Sequence, residues 1–535
     1  MRNLRKMMLA GMACCLYVSG LLAGGIVTNT NQSVHFLRNP ARTASFEIDA
    51  VYTNPAGLAL LPRNGFYFSL NNQTAFQTRT ITSMSGVGSF EGFGGAVEKS
   101  FKGEANALFI PSLMGAYKSN NVVISFNVGV IGGGGTLTFD KGLPSFEAPI
   151  SVLPGQLTAA GVPTNQYSVD AYLKGSSMIL GGQLGITYAF NDVISGYAGA
   201  RINILNNSYE GHLRNISVNP THPVLNPTGA MMPAATFFNG AMQAAQTASA
   251  ALQPIVDAGA GSFTLNQLVQ AGQLPPAQLA QLAGGLGMSP EAIGALSVNQ
   301  VQGAFNQAAA SYKENADKVG DKNLDNSQSG MGITPILGLN LHFDRLNIGM
   351  KYEFQTKLEI ENETKVDDTG LFPDGAKTPN DIPAILTLGA QYDMGAGVSV
   401  SAGYHHFFDS NAGMQNGKQE FINGGINEFL LGAEWKINKT FLISAGGQIT
   451  RTGVTDEYQS DLAFSLNSYS IGFGGAINLS ESLRVNVGYL FTNYEDWEKH
   501  PNMPIIDTIV PLPGTFKDIF ARTNKAFGIG LDFRF

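Results

Sequence analysis

The sequence predicts an all-β protein: a closed antiparallel barrel of fourteen transmembrane β-strands, with an N-terminal helical segment and one large helical loop. Three observations carry this. Apolar and polar residues alternate with period two from Asn64 onward, and the connections between alternating segments are short and long in turn. Charged residues make up only 13% of the chain while glycine supplies 64 of 535 residues, against roughly 25% charged residues in ordinary soluble domains. Hydrophobic residues reach 44%, yet no run of about 18 apolar residues follows the N-terminus. The apolar surface therefore belongs to strands and not to spanning helices. A net charge of −8, with no basic cluster after residue 6, excludes a nucleic-acid partner.

Residues 1–23 read as a signal peptide. Arg2, Arg5 and Lys6 form the positive start, Met7 to Leu22 the apolar stretch, and Leu21-Leu22-Ala23-Gly24 a small-residue cleavage site. A retained helical anchor is the alternative. Both cysteines, Cys14 and Cys15, fall in this segment, so the processed chain has no disulfide, no Cys-ligated metal and no Cys nucleophile.

The barrel proper is expected over 64–535. In Leu346 to Gln355, Leu346, Ile348, Met350, Tyr352 and Phe354 lie on one face, and Asn347, Gly349, Lys351, Glu353 and Gln355 on the other. A soluble sandwich alternates too, but rarely sets Lys, Glu and Gly opposite a wholly aliphatic and aromatic face; a wall with lipid outside and a polar lumen inside requires that division. The 33 Phe and 17 Tyr fit aromatic girdles at the two interfaces. Fourteen such segments run from 65–80 to 521–535. Tight turns such as Asn191-Asp192, Asp344-Arg345 and Asn438-Lys439 alternate with longer connections, which places the turns and both termini in the periplasm. Because lipid satisfies no backbone group, the sheet has to close.

Residues 24–63 are too many for a simple start and too apolar for a solvated tail. They contain Asn54-Pro55-Ala56-Gly57, which reads as an Asn-capped helix start with Pro at its first position, and an earlier copy, Asn39-Pro40-Ala41. Here the chain resembles the FadL/TodX-type family of outer-membrane transporters for long-chain fatty acids and hydrocarbons. In that family a fourteen-stranded barrel is stoppered by an N-terminal hatch of short helices bearing an Asn-Pro-Ala motif. The resemblance rests on the combination of signal peptide, hatch-sized segment, motif, strand count and terminal Phe535, and it covers the architecture of 24–212 and 331–535. It implies capture of a hydrophobic small molecule, above all a long-chain fatty acid, at the extracellular side, and lateral release through the wall. It also implies a monomer set among the lipids of a Gram-negative outer membrane. Phe535 resembles the C-terminal signal read by the outer-membrane assembly machinery.

Strand three holds Gly132-Gly133-Gly134-Gly135, which weakens the ladder and marks either a plain bulge or a bend. The family has a kink there, beside which Asn54-Pro55-Ala56 is expected to pack. Residues 213–330 break the β pattern and form a helical extracellular cap. Ser289 and Ser297 look like helix starts, and Val298, Val301, Phe305, Ala308 and Tyr312 share one face, as the cap's own core or as a ligand groove.

No nucleophile elbow, phosphate loop or metal-binding His motif occurs. His405 and His406 are sent to opposite faces by period two. No enzyme, cofactor or metal is expected. Burial of each methylene is worth about 0.8 kcal/mol, so an apolar pocket with one cationic anchor captures a long-chain amphiphile. The inward-phase Arg201, Lys351 and Arg484 are the candidate head-group ligands, unless they balance lumen carboxylates such as Glu353 and Asp532. The competing readings are a general small-solute porin and a non-transporting surface adhesin or structural barrel.

Overall fold

A computed structural model describes residues 25–86, 89–90, 96–500 and 516–535; the signal-peptide segment 1–23 lies outside the described residues. Fourteen antiparallel strands cross the wall. In chain order they are β1 (Gly65–Ser85), β2 (Glu98–Ser119), β3 (Val122–Phe139), β4 (Tyr167–Ala189), β5 (Ile194–Val218), β6 (Lys322–Phe343) and β7 (Leu346–Glu353, resuming at Glu359–Asp367). There follow β8 (Ile385–Gly395), β9 (Val398–Phe407), β10 (Ile426–Lys436), β11 (Phe441–Arg451), β12 (Ser468–Asn478), β13 (Leu483–Tyr494) and β14 (Phe516–Arg534). Each pairs with its sequence neighbour, and β1 pairs with β14 from Tyr67↔Arg534 to Ser85↔Phe516, which closes the sheet.

The wall inverts the burial of a soluble protein. On β10, Leu431 is 68% exposed while Glu428 and Glu434 on the opposite face are 0% and 6% exposed. On β7, Met350 and Phe354 point out, whereas Lys351 and Glu353 are buried. Aliphatic side chains turned outward around a closed sheet find a favourable solvent only in lipid. Among the described residues no helix is long and apolar enough to span a membrane. At one end the turns are tight, and Asn120 and Asp344 take positive φ there (51° and 46°), a conformation short polar side chains tolerate.

The lumen is not empty. Residues 25–61 are almost entirely buried and comprise the helices Val34–Arg38 and Ala50–Thr53 and the 3₁₀ turn Pro55–Leu60. This segment touches the wall on many sides through a belt of glycines. A Cβ added to Gly349, Gly389 or Gly403, neighbours across β7, β8 and β9, would lie 2.5–2.8 Å from Thr43. Gly432 and Gly446 pair across β10 and β11 beneath Asn39, and Gly488 and Gly528 pair across β13 and β14 beneath Leu37. The belt lets two backbones approach to a distance that any side chain would forbid.

The strands outrun the alternation. β5 continues to Val218 and β6 begins at Lys322, paired as far as Leu213↔Lys322, so the barrel claims both edges of the expected 213–330 cap. Ser289 caps Pro290–Gly294, and Ser297 caps Val298–Lys318 in a full capping box with Gln300. Val298, Val301 and Phe305 are buried with Leu252, Leu265 and Ile293, with Ala308 and Tyr312 packed against them, so this face is the cap's own core.

Candidate functional site

The N-terminal segment is held by two buried charge clusters. In the first, Arg38 and Arg42 both grip Glu434 of β10, and Arg42 also reaches Asp49 (2.7 Å) and Glu47 (2.8 Å). Arg484 of β13 pairs with Glu47 at 2.8 Å, and His35 Nε2 meets Asp532 of β14 at 3.1 Å. His35, Glu47 and Asp49 lie close enough to chelate a metal ion. The carboxylates are already engaged by three guanidinium groups, so the donor set fits ion pairing within the protein.

The second cluster contains the other two sequence candidates. Arg201 of β5 and Lys351 of β7 both bind Glu353, Lys351 at 2.7 Å, and Arg201 and Glu353 are 1% exposed. Lys351 Nζ also donates to the Tyr52 carbonyl at 2.8 Å and lies 4.4 Å from the Tyr52 ring centroid, with Arg201 5.7 Å from the same ring. Two cations thus face one carboxylate, and Arg201 Nη1 has no hydrogen-bond partner. All three candidate cations point inward, and each is paired with a carboxylate of the wall or of the N-terminal segment.

Asn54 precedes the Pro55–Leu60 turn, with Pro55 at its first position, but its side chain does not cap it. Asn54 Nδ2 instead donates to Ser45 O (2.9 Å) and to Asn340 Oδ1 of β6 (2.8 Å), tying the segment to the wall. Pro55 O and Ala56 O accept from Thr187 of β4 and Ser195 of β5 at 2.7 and 2.8 Å. Gly57 is buried, and a Cβ there would lie 2.6 Å from Ser45 O.

At Gly132 to Gly135 the β3 ladder is interrupted. Pairing with β2 runs to Ser112↔Gly129 and returns only at Glu104↔Thr138, and the register with β4 slips twice between Val130 and Gly135. Gly133 and Gly135 have φ of 87° and 68°, which glycine alone adopts without strain. The expectation that Asn54-Pro55-Ala56 packs beside this run is corrected: Val27 to Gln32 takes that place. Thr28 bridges Gly132, Asn29 N donates to Ile131 O (2.7 Å), and Gln32 Nε2 donates to Val130 O (2.9 Å). Ser112 Oγ of β2 donates to Gln32 O at 2.6 Å, so residue 32 spans both lips of the break. Outside it, Leu108 and Phe109 of β2 are 66% and 77% exposed.

His405 and His406 behave as period two requires. His405 is buried between Glu428 and Thr43 (both 2.9 Å), while His406 bonds Asn427 and packs edge-on against Phe408.

No known family signature and no curated protein matches the sequence. Among solved structures, the chain aligns over 96% of its length with 99% of a Pseudomonas aeruginosa FadL homologue, at 12% identity and a TM-score of 0.55. It aligns over 97% of its length with all of the Pseudomonas putida toluene transporter TodX, at 13% identity and a TM-score of 0.50. This is the FadL fold. At such identities the likeness is one of architecture, and FadL-type residue roles do not transfer by position. The features that the sequence did not reveal are the glycine belt, the pairing of Val27 to Gln32 with β3 and the partners of the three cations. All of these join residues far apart in the chain, and the high glycine count was the one visible signal.

Proposed function

We propose that the protein carries hydrophobic small molecules inward across an outer membrane, long-chain fatty acids first among them, and releases them sideways through the break between β2 and β3. The observation that carries this reading is one contiguous buried apolar cluster. It runs from Tyr52, under the Arg201–Lys351 pair, through Ile179 and Leu205 to Ile131, Val27 and Ile26 at the break. Gly181 lets Ile131 and Arg201 close in on the wall together, since a Cβ there would meet Ile131 at 2.7 Å and Arg201 at 3.0 Å. A carboxylate head group fits the excess positive charge and the unmet Nη1 of Arg201, while its alkyl chain follows the apolar path.

Energetics favour the sideways route. A chain of sixteen methylenes gains about 13 kcal/mol on leaving water, at about 0.8 kcal/mol each. Travel down an aqueous lumen forfeits much of that gain, whereas the membrane core keeps it. A break in the wall costs ladder hydrogen bonds, and the N-terminal segment supplies replacements for Val130 and Ile131. The toluene transporter that shares this fold is named for an apolar cargo, which supports a hydrophobic ligand. The occupied lumen argues against a general porin.

The test is uptake of labelled oleate by cells with and without the protein, together with a staple across the break. Gln32→Cys with Ser112→Cys joins residues already in hydrogen-bond contact in a processed chain free of other cysteines. Uptake should stop on oxidation and return on reduction. Normal uptake by the oxidised, cross-linked protein would send the route elsewhere.

A further inference from the structure

On its outer face β6 changes character within two residues. As it descends from the cap, its outward positions read Asn323, Asp325, Ser327 and Ser329, and then Met331, Ile333, Pro335 and Leu337, with Met331 69% exposed. β5 changes at the same height, since Asn206 pairs with Ser329 and Ile204 with Met331. Such a switch from polar to apolar marks the plane where lipid head groups meet hydrocarbon.

At that plane the wall has a recess. β7 pairs regularly with β6 as far down as Ser329↔Glu361 and again from Ile336↔Glu353, and the stretch between leaves the ladder so that Thr356 bridges Ile382. The short strand Lys377–Pro379 runs beside the upper half of β7, with Lys377 opposite Glu361. Together these segments frame a cleft of about 1010 Å³, lined among others by Ser329, Met331, Lys357, Glu361, Glu363 and Lys377. That is at the upper end of the roughly 300–1,000 Å³ of small-molecule sites. The cleft lies on the outer face, apart from the inward cations.

Its chemistry is mixed. Glu361 and Glu363 offer acceptors, Lys357 and Lys377 donors, and Lys377 meets Glu361 at 3.4 Å. Lys357 reaches Asp381 at 2.7 Å with its side chain 79% exposed, while Asp381 also accepts from Gln355 and from the N–H groups of Leu358 and Gly413. Lys357 can therefore turn to another anion without leaving Asp381 unmet. Carboxylates match hydroxyl donors, and ammonium groups match phosphate oxygens. Just below, Met331 and Ile333 form an apolar strip, along which each buried methylene is worth about 0.8 kcal/mol. The shape suits an amphiphile whose head carries both hydroxyls and phosphate. A glycerophospholipid head brings a phosphate and few hydroxyls, whereas the outer leaflet of a Gram-negative outer membrane is built from glycolipid headed by a phosphorylated glucosamine disaccharide.

We propose that this cleft binds one outer-leaflet glycolipid, with sugar hydroxyls on Glu361 and Glu363, a phosphate on Lys357 and acyl chains along Met331 and Ile333. The proposal rests on the outer-membrane placement and is independent of the cargo.

Protein in detergent is titrated with diphosphoryl lipid A or with phosphatidylglycerol of matched acyl length, and bound lipid is counted by native mass spectrometry. Lys357→Met with Glu363→Gln alters the cleft at two exposed positions, and Ser329→Trp fills it without removing charge. Lys174→Met with Glu210→Gln makes the same chemical change at an exposed pair on β4 and β5, outside the cleft. The expected result is one lipid A held at least tenfold more tightly than phosphatidylglycerol, a tenfold or greater loss in both cleft variants, and no loss in the β4–β5 variant. Equal affinity for the two lipids, or equal loss inside and outside the cleft, overturns the site and leaves surface charge alone.

Discussion

Glu353→Gln tests whether the second charge cluster fastens the N-terminal segment to the wall. Glu353 is 1% exposed and accepts from Arg201 and from Lys351 Nζ, the latter at 2.7 Å. The amide keeps the shape and one acceptor oxygen but leaves two buried cations without a counter-charge. Breaking a buried pair in this way costs about 3–5 kcal/mol, and the surviving acceptor places the expected loss near the lower end, about 3 kcal/mol. That corresponds to roughly a hundredfold in an equilibrium constant. Because Lys351 also donates to Tyr52 O at 2.8 Å, the loss should be felt in the segment and not in the barrel. Hydrogen exchange in detergent reads this directly. Amides of 50–58 should open about a hundredfold more often, while β10 and β11 keep their protection. Lys351→Met in the same chain removes one of the stranded cations and should recover part of the protection. Unchanged exchange at 50–58, or equal acceleration in the barrel strands, would refute the assignment of this cluster as a fastening.

Gly349→Ala should destabilise by about 1–3 kcal/mol through overpacking, since its Cβ would meet the Thr43 backbone oxygen at 2.5 Å, whereas Gly182→Ala, with nothing within 4 Å, should be neutral; urea midpoints compare them. Arg201→Ala should weaken binding of a fatty acid more than that of an alkane of equal length, measured by displacement of a fluorescent probe, and equal losses would remove Arg201 from the head-group site. Asp381 accepts from Lys357, Gln355 and two backbone amides; burial pushes its carboxyl up, and these hydrogen bonds more than offset that, holding it below the usual value. Its folded pKa lies below its unfolded one, so its contribution should be full above about pH 4 and fade as pH falls through the folded value. Asp381→Asn should flatten that part of the acid-stability profile, and an unchanged profile would show the contacts to be idle. A peptide tag at Gly259 of the cap should be stained by antibody on intact cells, and one at Asn438 should not; the reverse pattern would invert the topology.

The wall was legible because lipid imposes its chemistry residue by residue: Leu346 to Phe354 could be sorted into faces with no knowledge of any partner strand. Ser289 and Ser297 were legible as caps for the same reason, since a cap is settled within three residues. At the start of β6, Asn323, Asp325 and Ser327 on one face and Asn326 and Gln328 on the other are all polar, so Lys322 to Ser329 offered little alternation to find, although they pair with β5 from Asn206↔Ser329 to Leu213↔Lys322. The site was hidden for a further reason: Arg201 and Glu353 stand 152 positions apart, and nothing local marks them as partners.

The two Asn-Pro-Ala tripeptides sharpen this point. A local capping rule reads Asn54 as a helix start, and read alone the earlier Asn39-Pro40-Ala41 shows only how easily three residues recur. In the folded chain Asn54 reaches across to Asn340. Asn39 accepts from Ala41 N at 3.1 Å and lies over Gly432 and Gly446, where a methyl group would collide with its side-chain oxygen. Each tripeptide is therefore a wedge whose meaning lies in the wall opposite, and each wall position is glycine or asparagine because the wedge is there. Altering either side alone, by Asn39→Leu or Gly446→Val, should loosen the segment, and the reason is the same for both: the motif and its seat are one feature written in two distant places.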